Sequence, residues 1–197
     1  SLAALERNLA TDSRPQIDAM VALVRAEDSP DSVVDQALRR LGEMSRKAVI
    51  GDLYELFKTP KWRVRWMAAE TALRTSTAKD LPEFAEHLGK VEDLTLTEAL
   101  RYGSLIGNLA APPEPRVEAE RLSAEGNPVS VRLMALGWYA EYGSTADVAF
   151  VSKFSSEKAN VSRCKRDAEG CEWKCSVVEC KQNVAKDIKT LGEYVQY

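Results

Sequence analysis

The sequence predicts an all-α protein, and three observations carry that expectation. Apolar residues recur with helical periodicity over most of the chain, while strand-like alternation is nearly absent. Proline and glycine stand between the periodic stretches, at Pro30, Pro60, Gly126-Asn127-Pro128 and Gly143, where helices stop and start. The chain also repeats itself. VRWMAAETALRTSTAKDLPEF, from Val64, lies over VRLMALGWYAEYGSTADVAFV, from Val131, at an offset of 67 residues and without a gap. The overlay joins two Val-Arg-x-Met-Ala strings and sets Asp80 on Asp147. Periods of this size mean stacked helical pairs, each burying a face that it cannot bury alone.

Taken in order, the periodic segments give about ten short helices. SPDSVVDQALRRLGEM opens a further copy, with Pro30 lying 30 residues before Pro60. KAVIGDLYELFK (47–58) places Val49, Leu53 and Leu56 at i, i+4, i+7, an amphipathic stripe. Residues 60–73 and 127–136 start at or beside a proline, and Pro128 falls within one position of the register set by Pro60. TLTEALRYGSLIGNL (95–109) sits halfway across the 67-residue offset, so the repeat is about 30 to 35 residues, two helices each. EPRVEAERL (114–122) is short and polar for a first helix and marks an irregularity in the middle of the array. In the second helices Val64, Ala68 and Ala72, at i, i+4, i+8, form a narrow seam along which neighbours approach closely.

These residues carry a family resemblance. Pro-x-x-x-Val-Arg-x-x-Ala-Ala-x-x-Ala-Leu (60–73) and Asn-Pro-x-x-Val-Arg-x-x-Ala-Leu (127–136) resemble the second helix of a HEAT or HEAT-like repeat. The first helices are then 47–58, 78–89 and 145–155, and the resemblance covers roughly residues 15–155. It implies a short right-handed α-α superhelix of about five helical pairs. It also implies that Arg65 and Arg132 pair with an acidic residue or a carbonyl of the adjacent unit. About function it says almost nothing, because one fold hosts many activities.

Net charge is −3 and pI about 5.4, so no global basic field points to nucleic acid. No run of 18 or more apolar residues is present, so no membrane span is expected. SLAALERNLATDSRPQ has neither a basic n-region nor an unbroken apolar stretch, so a secretory leader, if one directs the chain, is expected to have been removed. Candidate surfaces are two. KWRVRW interleaves Lys61, Arg63 and Arg65 with Trp62 and Trp66; it reads as a junction between repeats or, alternatively, as a stacking and phosphate-contact patch. Trp138, Tyr139 and Tyr142 form an aromatic group on the later second helix, with Tyr139 and Tyr142 at i, i+3. His87 is the only histidine and stands near a helix end, where a donor or cation is favoured without any catalytic role. There is no glycine-rich phosphate loop and no zincin motif, and no cofactor is expected.

All four cysteines, Cys164, Cys171, Cys175 and Cys180, fall in one segment. Their x6, x3 and x4 spacing lacks paired C-x2-C knuckles and any C-x-x-C. An even, clustered set fits two disulfides in an oxidising compartment, with free buried thiols and metal as the other readings. At an offset of 107, Trp173 falls on Trp66, Cys175 on Ala68, and AKDI (185–188) on AKDL (78–81). CEWKCSVVEC then reads as a last, degenerate second helix. If it is helical, Cys171 and Cys175 share a face and Cys180 lies about 140° round from Cys175. That makes Cys164–Cys175 with Cys171–Cys180 the favoured pairing of the three possible ones, with local unwinding at the second. The expectation is a single domain over 1–197, a repeat array (1–155) closed by a disulfide-held cap (156–197).

Together these readings describe a monomeric, non-enzymatic scaffold, periplasmic, secreted or surface-anchored. It would bind an unknown protein or peptide along concave helices, with Trp62, Arg63, Arg65, Trp138, Tyr139 and Tyr142 as the possible partner surface. The alternatives are a nucleic-acid enzyme like the HEAT-like DNA glycosylases, resting on Lys61, Trp62, Arg63 and Arg65, or a HEAT-like tetrapyrrole lyase or chaperone using a cysteine.

Overall fold

A computed structural model describes residues 13–59, 61–91, 94, 96–109, 115–159 and 190–196. Its elements are all helices. In order they are α1 (Arg14–Arg25), α2 (Asp31–Gly42) and α3 (Arg46–Glu55), which tightens into a 3-10 turn at Leu56–Lys58, then α4 (Trp62–Arg74). A 3-10 turn at Ala78–Asp80 leads into α5 (Leu81–Leu88), followed by α6 (Leu96–Ile106), α7 (Pro115–Ser123) and α8 (Val129–Tyr142). A second such turn, Thr145–Asp147, leads into α9 (Val148–Val151) and a further turn at Ser152–Phe154, and α10 is Leu191–Gln196. Among the described residues, helices stand within each of the segments expected at 29–44, 47–58, 60–73, 78–89, 95–109, 114–122 and 127–136. The one expected over 145–155 is a single α turn between two 3-10 turns. The chain divides between Ser76 and Thr77 into two compact units.

In the first unit, α1 packs on α2 and α3, and α4 packs on α2 and α3. First helices thus touch first helices and second touch second, the two-layer pattern of stacked pairs. Ile17, Val21 and Val24 recur at helical spacing on α1, and Val34, Leu38 and Leu41 on α2, all buried. The small-residue seam of α4 is confirmed, with Val64, Ala68 and Ala72 buried. Arg14, from α1, makes two hydrogen bonds to Asp52 of α3, at 2.8 and 3.0 Å, and fastens the first helices to one another.

In the second unit α8 is the central element, packed on α6 and α7 and touching α5 and α10. Every residue from Ser130 to Tyr139 is buried, so this helix has no solvent face along most of its length. Its crossing with α6 is close because glycine stands on both sides. A Cβ on Gly137 would lie 2.7 Å from the Ala99 carbonyl oxygen, and one on Gly103 would run into the backbone at Gly137 and Trp138.

The 67-residue repeat is visible in the hydrogen bonds themselves. Thr77 donates its N–H and hydroxyl to Asp80 Oδ2, at 2.7 and 2.9 Å, and Ser144 does the same to Asp147, at 2.8 Å for both. Each pair closes a capping box at the start of a first helix, satisfying donors that a helix start leaves open. Arg65 and Arg132, also 67 apart, are both buried.

Candidate functional site

The basic residues of KWRVRW turn inward to their own unit. Lys61 donates from Nζ to the Ala26 carbonyl, 2.8 Å away, capping the C-terminus of α1 with a cation. Arg63 forms a fork on Asp35, with Nε at 3.2 Å and Nη2 at 2.5 Å, and reaches Asp31 from Nη1 at 3.2 Å. The Asp35 carboxylate raises the guanidinium's pKa above its ordinary value. Asp31 and Asp35 stand at i, i+4 on α2, so one arginine of α4 locks two turns of the neighbouring second helix. Arg65 is 3% exposed and lies in the core. Trp66 donates from Nε1 to Glu70, one turn along, at 3.0 Å. The Trp62 side chain lies outside the described residues.

The aromatic group on α8 is divided between core and surface. Trp138 and Tyr139 are buried at 8% exposure each, whereas Tyr142 is 38% exposed. Tyr142 stacks on Trp138, with ring centroids 5.7 Å apart, and its hydroxyl donates to the Ser104 carbonyl at 3.1 Å. Phe150 packs on the Tyr139 ring, and Phe154 lies under the Arg132 guanidinium. The Tyr139 hydroxyl and the Trp138 indole N–H are buried without a hydrogen-bond partner among the described residues. Burial raises the Tyr139 pKa, and the nearby Glu120 and Asp147 charges add to it, so the phenol stays protonated.

Arg132 carries out the role expected from the repeat pattern. Its Nε donates to the Ser123 carbonyl at the end of α7, 3.1 Å away, and its Nη2 pairs with Glu157 beyond α9. One buried side chain therefore ties α8 to the segments before and after it. Arg116, at the start of α7, pairs with Asp147 of the capping box. The Asp147 carboxylate lies below its ordinary value of 3.8, held there first by the Ser144 N–H and hydroxyl and then by Arg116.

Beside this group lies an open cleft of about 640 Å³. Leu100, Leu136 and Tyr139 line it from α6 and α8, and Val148, Val151, Ser152 and Ser155 from α9 and its turn. Tyr194, Val195 and Gln196 of α10 form the other wall. The two walls are joined by hydrogen bonds, Leu191 N–H to Ala159 C=O at 2.9 Å, Gly192 N–H to Glu157 C=O at 3.0 Å, and Gln196 Nε2 to Ser155 C=O at 3.1 Å.

Residues 17–102 match the family model of HEAT repeats. Over that stretch the chain carries HEAT-like repeats. The match runs from α1 to α6; the later copy at 129–155 lies outside it and shares with it the capping box and the buried arginine. Among curated proteins and among solved structures the comparison found no match.

His87 occupies the last turn of α5, half-buried. Cys164, Cys171, Cys175 and Cys180 lie outside the described residues, as does the segment expected to form the cap. Among the described residues no helix is long and apolar enough to cross a membrane. Neither the cleft nor the Arg116–Asp147 pair is legible in the sequence. The only advance signal was Asp147 itself, matched to Asp80 by the repeat and placed three residues after a serine.

Proposed function

We propose that the protein is a non-enzymatic interaction scaffold working outside the cytoplasm, holding a protein or peptide partner on its helical surface at one end of the α7–α8 hairpin. HEAT repeats commonly serve as protein-interaction scaffolds, and the repeats over 17–102 support that class. The observation that supports this surface is the exposure of three apolar side chains. Val117, Tyr142 and Val148 are 53%, 38% and 59% exposed. They stand at the start of α7, the end of α8 and the start of α9. Residues 124–128 join α7 and α8 as antiparallel neighbours, and Arg116 bonded to Asp147 brings the start of α9 to the same end. Exposed large apolar residues brought to one end of a hairpin suit an interaction site.

The nucleic-acid reading is less well supported, because Lys61 and Arg63 are occupied by Ala26, Asp31 and Asp35 and are not presented to a phosphate. The extracytoplasmic location rests on the clustered cysteines alone. Replacing Val117 with Asp and Tyr142 with Ala tests the surface. Partner capture should fall with both variants; the unfolding midpoint should stay near wild type for Val117→Asp, while Tyr142→Ala also loses the stack on Trp138 and the bond to Ser104 and should unfold earlier without losing its helical circular dichroism. Unchanged capture with both sinks the proposed surface.

A further inference from the structure

The two copies differ at one set of matched positions, and the difference makes the cleft. In α5 the inner face is Leu81, Phe84, Ala85 and Leu88, all buried. The residues 67 positions later are Val148, Val151, Ser152 and Ser155, each of which lines the cleft. Phenylalanine has become valine, leucine has become serine, and alanine has become serine. The inner face of α9 has turned by one residue, so that Phe150 and Phe154, not the matched positions, meet Tyr139 and Arg132. The later copy is thus hollow where the earlier one is filled.

The hollow has the make-up of a small-molecule site. At about 640 Å³ it falls inside the usual size range of ligand pockets. Its lining is largely apolar, through Leu100, Leu136 and Val151, and its exposed residues Ser152, Ser155 and Gln196 add two hydroxyls and an amide. The three hydrogen bonds from α10 to residues 155–159 hold the walls in place before any ligand arrives. The one charged residue lining it among the described residues is Asp147, whose carboxylate is already held by Ser144 and Arg116, so the lining offers a charged ligand no counter-ion.

We propose that this cleft binds a neutral, largely apolar small molecule, a function distinct from partner binding although Val148 borders both sites. The test uses the intact chain and the neutral fluorophore N-phenyl-1-naphthylamine, followed by its fluorescence on titration. Saturable binding with one site per chain is expected. V151F/S155L restores the side chains of the first copy and should weaken binding by about tenfold or more, the scale on which apolar pockets discriminate single groups. S152K places a charge on an exposed turn of the lining, independently of core packing, and should weaken binding as much if V151F/S155L does not fold. L23S removes an exposed leucine from the other unit and should leave binding unchanged. Absence of saturable binding overturns the proposal, as does binding insensitive to the cleft variants or equally weakened by L23S.

Discussion

Replacing Arg132 with Met would test whether a buried arginine, placed by the repeat, holds the later copy together. Arg132 is 4% exposed and donates to the Ser123 carbonyl at 3.1 Å while pairing with Glu157. Methionine keeps the apolar stem of the side chain against Phe154 but leaves a backbone carbonyl and a carboxylate without their donors. Breaking one partner out of a fully buried ion pair costs about 3 to 5 kcal/mol. Glu157 is 27% exposed and regains some solvation, which lowers the expected loss. A hydrogen bond to a charged group contributes about 1.5 to 3 kcal/mol, so a net loss of about 2 to 3 kcal/mol is expected. Urea unfolding followed by circular dichroism reads this directly. The cycle with Glu157→Gln should return a coupling of about 1 to 2 kcal/mol, since the two residues touch. A loss below about 0.5 kcal/mol, the range of an ordinary surface substitution, would mean that Arg132 does not hold α8 to its neighbours.

Three further outcomes follow from the same geometry. Gly103→Ala should destabilise the protein by about 1 to 2 kcal/mol, because overpacking against the Gly137–Trp138 backbone outweighs the helix propensity gained; thermal unfolding checks it. Asp147 has a depressed pKa in the folded state, so its contribution is present above the ordinary value of 3.8 and is lost as pH falls through the folded value. Stability measured from pH 6 down to about pH 2 should therefore fall less steeply in Asp147→Asn than in wild type; parallel curves would contradict this. Intact mass after alkylation under denaturing, non-reducing conditions should show no label on the four cysteines; four labels would remove the argument for an oxidising compartment and reopen the lyase reading.

Much of the fold was legible because it is local and repeated. The Val-Arg-x-Met-Ala strings, the seam at Val64, Ala68 and Ala72, and Pro30 and Pro128 before second helices are short-range signals, and each reappears as helix, core or cap. The site was legible only in part. Trp138 and Tyr139 belong to a helix buried on every side from Ser130 to Tyr139, so periodicity could not assign them a face. The acids that hold Arg63, Asp31 and Asp35, lie about 30 residues upstream in the preceding pair, and only stacking brings them near. The cleft arises from a one-residue turn of α9 and the return of α10, both tertiary events. A sequence overlay at fixed offset cannot see a helix rotating within its own register.

The most direct test of the scaffold reading is photo-crosslinking from the proposed surface. A benzophenone side chain placed at Tyr142, and in a separate protein at the exposed Glu27 of the other unit, would be irradiated in the cells that make the protein. The account predicts one discrete crosslinked protein from position 142, lost when Val117→Asp is added, and no matching product from position 27. Identical products from both positions, or none from 142, would contradict it.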